Sequence, residues 1–114
     1  MIVAEWYERQ ADAVKVAFLT SMKFLRAQPE DKWDRPQVGQ LRHGSCKGLY
    51  EIVLKVNGVQ HRPIGYYSGK MEFTIVAFAT ERDRRFNPPN ICDTAQERVA
   101  FIKNHKERAR EFTV

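Results

Sequence analysis

Asn57-Gly58 stands between two runs of strand-forming residues, Leu49–Val56 and Val59–Arg62, and constrains this chain more than any other pair. Asn-Gly accepts the positive φ angles that both central positions of a type I′ turn need, so it joins antiparallel strands through two residues only. A two-residue turn fixes the register. It sets Val56 opposite Val59, Leu54 opposite His61, Val53 opposite Arg62 and Leu49 opposite Tyr66. Glu51 is then a diagonal neighbour of Arg62, within reach of an ion pair across the strands. Tyr50, Ile52, Leu54 and Val56 share one face, and Glu51 and Lys55 lie on the other.

Pro63 has no amide hydrogen for the ladder, so a bulge or an edge position is expected there. Ser68-Gly69-Lys70 makes the next turn, and Met71–Thr80 follows as a third strand. Its Ile75-Val76-Ala77-Phe78-Ala79 run suits burial on both faces and a central place in the sheet. Arg82, Arg84 and Arg85 then form a basic loop. Asn87-Pro88-Pro89-Asn90 signals the start of a helix, with Asn87 or Asn90 as its cap.

Helical spacing flanks this sheet. Tyr7, Ala11, Val14, Phe18, Met22 and Leu25 recur at four- and three-residue steps, which predicts one helix over Val3–Ala27 with a core-facing stripe. Pro29 and the charged run Glu30-Asp31-Lys32 end it. Residues 28–47 read as a connector pinned by Trp33, Val38 and Leu41. A last helix is expected from Ile91 to Glu111 or Phe112, with Ala95, Val99 and Ile102 facing inward. The class is therefore α+β, an N-terminal helix packed on a three- to four-stranded antiparallel meander with a C-terminal helix, in a single domain over residues 1–114.

The 114 residues approach nowhere the roughly 18 consecutive apolar positions of a membrane span. The N-terminus lacks the basic-then-apolar layout of a signal peptide. Cys46 and Cys92 fit no disulfide framework or zinc spacing and read as two reduced thiols of a cytoplasmic protein. Net charge is +5, and it is unevenly placed. Residues 47–90 carry seven basic and four acidic residues, a balance of +3, against +1 for each flank. Such a balance suits nucleic acid, an acidic partner or an anionic surface.

The order of these elements resembles the RelE/HigB-like toxins of type II toxin–antitoxin systems, in particular the phage-derived branch. The residues that carry the resemblance are Leu41, Gly48-Leu49-Tyr50-Glu51, Arg62 with Ile64 and Tyr66, Thr74–Phe78, Arg82, Pro88, and Ala95 with Arg98. It covers roughly residues 38–103 and implies a small RelE-like fold. It also implies a ribosome-dependent messenger-RNA endonuclease, with ribosome, mRNA and a cognate antitoxin as partners. The chain departs from that pattern at Val53, where an arginine is usual, at Pro63, and at Phe78–Asp83, where a His-Gly-Phe-x-Lys-Lys run is usual.

RNA cleavage of this type proceeds without metal or cofactor. The 2′-hydroxyl attacks the adjacent phosphate while the protein moves protons and stabilises charge. Arginine suits the second task, because its planar fork stays protonated and matches phosphate oxygens. Arg62, Arg82 and Arg85 are the candidate catalytic arginines, and His105 is a candidate for proton transfer. His61, on the face of Leu54, reads first as a satisfied, partly buried histidine and only second as a catalyst. Lys47, Lys55, Tyr66 and Arg84 are candidate RNA-binding residues, with Tyr66 suited to stacking on a base. Whether the chain is an enzyme stays open. The alternatives are a non-catalytic module of the same fold that binds nucleic acid or a protein, and a gyrase-inhibiting toxin.

Overall fold

The computed structural model describes residues 2–28, 33, 37–42, 44–69 and 72–104. Two helices, α1 (Ile2–Glu8) and α2 (Asp12–Arg26), precede strands β1 (Val38–Gln40), β2 (Tyr50–Ile52), β3 (Leu54–Val56), β4 (Val59–Gly69), β5 (Glu72–Arg82) and β6 (Arg85–Asn87), and α3 (Ile91–Asn104) follows. The strands form one antiparallel meander in the order β1-β2-β4-β5-β6, with β3 continuing β2 along the same side of β4. The α+β class expected from the sequence holds.

The expected single N-terminal helix is two helices. Arg9, Gln10 and Ala11 interrupt it, and Ala11 is extended at ψ 156°. Gln10 Nε2 donates to the Trp6 carbonyl at 3.0 Å, satisfying an end of α1. The break lets Trp6 stack on Phe78 of β5, with ring centres 4.4 Å apart, while its edge meets Phe18 of α2 at 5.1 Å. Tertiary packing outweighs helical periodicity here. Within α2 the stripe survives, since Val14, Phe18 and Leu25 are buried. Burying a side chain such as Phe18 contributes about 1.5–3 kcal/mol.

The helices cover opposite faces of the sheet. α1 and α2 close one core around Phe18, Leu25, Val38, Ile52 and Leu54. Trp33 joins this side and donates Nε1–H to the Leu25 carbonyl at 2.8 Å. α3 closes the other core, in which Ile91, Ala95 and Val99 pack on Ile64, Val76 and Ala77. Arg98 Nη1 fastens α3 to the Val76 carbonyl at 2.9 Å.

The Asn57-Gly58 register is as expected, with Val56 opposite Val59 and Leu54 opposite His61. Both turn residues take positive φ, 50° and 81°. The expected first strand over Leu49–Val56 is divided at Val53 into β2 and β3. Pro63 explains the division. Alternation from Val59 aims its missing amide hydrogen at Ile52, so the ladder lapses there. Pro63 itself is neither at an edge nor bulged. It is buried in β4 opposite Phe78, and the register shift falls one step later, between Ile64 and Gly65. β1 and β6 were not foreseen. β1 arises where part of the expected connector pairs with β2, and β6 where the basic loop folds back on β5.

β5 is central, with Val76, Ala77 and Ala79 buried on the α3 side and Phe78 against Trp6 on the other. Asn90 immediately precedes α3, and its carbonyl accepts from the Thr94 amide at 3.2 Å. The expected extension of this helix past Asn104 lies outside the described residues. The cysteines correct the reading of two reduced thiols, for Cys46 and Cys92 are joined by a disulfide. It links the 3-10 turn Gly44–Cys46, in the β1–β2 connection, to the first turn of α3. Among the described residues no helix is long and apolar enough to cross a membrane.

Candidate nucleic-acid interface

The β3–β4 and β5–β6 turns lie at the same end of the sheet, because β4 begins where β5 ends, Gln60 pairing with Glu81. The second turn is built on Asp83 and Arg84, whose φ angles are 53° and 64°. These are the values of a type I′ hairpin, made here without glycine. Arg82 and Arg85 flank the turn as a directly opposed pair. Arg82, Arg84 and Arg85 are all exposed, so the expected basic loop is a hairpin tip carrying three arginines.

Alternation along the strands sorts this end into two surfaces. On the α3 side a row runs Lys55, Gln60, Glu81, Phe86 across β3, β4, β5 and β6. Arg62 belongs to this side. It is 6% exposed, and its Nε lies 3.1 Å from Glu51 Oε1 and 3.3 Å from Glu81 Oε1. Its Nη1 donates to the His61 carbonyl at 3.2 Å, and its Nη2 donates to Gln60 Oε1. Two carboxylates and two neutral acceptors thus occupy the guanidinium, and a phosphate would have to displace them.

On the α2 side His61, Thr80 and Asn87 form one row, and Arg82 with Arg85 form the next row towards the tip. His61 and Arg82 are diagonal neighbours, whose Cα atoms stand about 7–8 Å apart in such sheets. The Arg82 side chain is long enough to reach a group held over His61, and Arg85, one strand further, lies on the same face. α1 and α2 cover this face as far as Leu54 and Phe78, so His61 sits half-buried at the rim of the helical layer. Burial, and secondarily the charge of Arg62, hold the His61 pKa below the usual 6.5. A neutral imidazole on the sheet face that also carries two exposed arginines can accept a proton at neutral pH while cations on that face balance negative charge.

The structure therefore brings Arg82, Arg84 and Arg85 together but sets Arg62 on the opposite face. Lys55 is exposed at the same end, on the α3 side. Tyr66 is remote from the arginines. It lies seven residues along β4 from Val59, about 23 Å at the usual rise per residue. There it is half-buried beneath α3, with Lys103 Nζ 5.5 Å from its ring centre. Burial, and then the Glu72 charge, raise the Tyr66 pKa, while a hydrogen bond with Thr74 works the other way. Lys47 is exposed beside the 3-10 turn that meets α3. His105 lies outside the described residues.

His61 is the member that the sequence ranks only second as a catalyst, after the reading of a partly buried histidine. The Asn-Gly register already placed it on the face opposite Arg62. What hid its relation to Arg82 was the second hairpin, since Asp83-Arg84 is not a recognisable I′ pair. Among the described residues no three His, Cys, Asp or Glu side chains converge as a metal site.

No known protein family, no curated protein and no solved structure matches this chain.

Proposed function

We propose that this chain is an RNA-cleaving toxin of the RelE/HigB-like kind, acting on messenger RNA at the ribosome and neutralised by an antitoxin. The observation that carries the reading is His61 on one sheet face with Arg82 and Arg85, half-buried and shifted towards its neutral form. In the proposed reaction His61 takes the proton from the 2′-hydroxyl. That oxygen attacks the adjacent phosphorus and the 5′-oxygen leaves, taking a proton from water, which gives a 2′,3′-cyclic phosphate and a 5′-hydroxyl end. Arg82 and Arg85 balance the charge that gathers on the phosphoryl oxygens, and Arg84 and Lys55 hold flanking phosphates. Arg62 keeps Glu81, the residue before Arg82, in place. Action on translating ribosomes locates the protein in the cytoplasm.

Induced expression in bacteria is expected to arrest growth and fragment translated messages. His61→Ala, or Arg82→Ala with Arg85→Ala, should relieve both effects in soluble, folded protein. Unimpaired growth at high induction would overturn the toxin reading.

A non-catalytic module of the same architecture is the second reading. It is favoured by the enclosure of Arg62 between Glu51 and Glu81, which withdraws the sheet's most buried cation from RNA. It predicts RNA binding that weakens with salt and leaves the RNA intact.

A further inference from the structure

The two sulfurs of the Cys46–Cys92 bond differ in access. Cys46 is 2% exposed, inside the core with Leu49, Ile64 and Ala95. Cys92 is only partly buried, at the second position of α3. We propose that Cys92 is a site of thiol modification by a glutathione-class disulfide, and that Cys46 is its resolving cysteine. The inference is independent of the RNA reading.

Exchange rates follow thiolate character and access. The partly open Cys92 meets a small disulfide first, whereas Cys46 is enclosed by the core. The Cys92 thiolate attacks one sulfur of the small disulfide, forming a mixed disulfide and releasing one small thiolate. The Cys46 thiolate then attacks the Cys92 sulfur, forms the internal bond and expels the second small thiolate. The two cysteines lose two electrons and their two protons, and the small disulfide becomes two thiols. The reverse sequence opens the bond when such thiols are in excess.

Opening and closing this bond acts on α3. Gln96 Nε2 donates to the Ser45 carbonyl at 2.7 Å, so the same 3-10 turn holds the helix at two neighbouring points. Without the bond, α3 rests on Ile91, Ala95 and Val99 with the Gln96 and Arg98 hydrogen bonds. The bond is thus a clamp on the helix that covers Ile64, Val76 and Ala77.

Reduced wild-type protein in native buffer, alkylated briefly with iodoacetamide and mapped by peptide mass, is expected to carry label on Cys92 at least ten times faster than on Cys46. With oxidised glutathione, Cys46→Ser should accumulate one adduct per chain at Cys92, and Cys92→Ser none. Wild type should lose both thiols without a lasting adduct. Bond formation should also slow amide exchange over residues 91–99 at least ten-fold. Equal labelling of the two cysteines in the native reduced chain would overturn the assignment of roles. Retention of both thiols by wild type under oxidised glutathione would overturn the exchange itself, and unchanged amide exchange would overturn the clamp.

Discussion

Arg62 Nε lies 3.1 Å from Glu51 Oε1, and their side chains are only 7% and 6% exposed. The pair joins β4 to β2 beside the place where Pro63 cannot donate to the ladder. Glu81 Oε1, 3.3 Å from the same nitrogen, extends the link to β5. One guanidinium therefore ties three strands together next to the arginine hairpin. Such a pair is costly to break, because removing one partner strands the other's charge in a poorly hydrated site.

The two ways of breaking it should differ. Arg62→Met removes the buried cation that Glu51 and Glu81 both face and is expected to cost about 3–5 kcal/mol. Glu51→Gln should cost less, since Glu81 still faces the guanidinium. Urea midpoints of the two variants check the order, and a larger loss for Glu51→Gln would show that Arg62 is held chiefly from β2.

Arg84 should show opposite effects on stability and binding. An L-residue in the left-handed region costs roughly 1–2 kcal/mol, and glycine does not bear that cost. Arg84→Gly is therefore expected to stabilise the protein by about 1 kcal/mol. The same change removes one phosphate contact, so the slope of log K against log salt for single-stranded RNA should fall by about 0.7. Thermal melts and salt titrations measure the two effects. A variant both more stable and unchanged in RNA binding would exclude Arg84 from the interface.

Gly65 marks a close approach that the sequence did not announce. A Cβ there would press on the Thr74 carbonyl oxygen and lie 2.7 Å from Phe73 Cε2. The carbonyl belongs to the paired strand and cannot move without disturbing the ladder. Gly65→Ala should destabilise the fold by about 1–3 kcal/mol, as overpacking commonly does. Chemical denaturation checks it, and a loss under 0.5 kcal/mol would mean that the register shift beside Gly65 absorbs the methyl group.

Local signals carried most of what proved legible in the sequence. Asn57-Gly58 fixed the β3–β4 register and with it the Glu51–Arg62 contact, because a two-residue turn leaves one pairing. Val14, Phe18 and Leu25 were readable because a buried helical face repeats every three to four residues. The rest depended on contacts distant in sequence. The α1–α2 break exists to seat Trp6 on Phe78, and nothing near Gln10 announces it. The Cys46–Cys92 bond follows from α3 crossing the 3-10 turn, which spacing alone does not reveal. The shared face of His61 and Arg82 required a hairpin whose turn residues, Asp83 and Arg84, are poor I′ formers.

The disulfide should be a major support of the oxidised fold. It closes a loop of 46 residues, for which the loss of chain entropy on unfolding corresponds to about 4 kcal/mol. Reduction, or Cys46→Ser with Cys92→Ser, is expected to lower the melting temperature by roughly 10–20 °C. The reduced wild type and the double variant should melt together. A double variant that melts with the oxidised wild type would mean that the unfolded chain is already compact around the two cysteines.

His61 should impose a pH dependence of definite sign. Its pKa in the fold lies below the 6.5 of an unhindered imidazole, because burial and then Arg62 disfavour the charged form. As pH falls through 6.5, the unfolded chain takes up the proton before the folded one does. Stability rises with pH wherever the unfolded state binds more protons, so His61 supports the fold above pH 6.5 and that support is lost as pH falls towards the lowered value. His61→Gln should flatten denaturation midpoints over the interval from pH 6.5 down to that lowered value. RNA cleavage by wild type should decline through the same interval, because a protonated imidazole cannot accept the 2′-hydroxyl proton. Arg82→Ala should lower the rate without moving the pH of half-maximal activity, since burial, not Arg82, is the leading cause of the shift. A wild-type stability profile parallel to that of His61→Gln would show that the imidazole titrates alike in both states and would remove the basis for a neutral catalytic histidine.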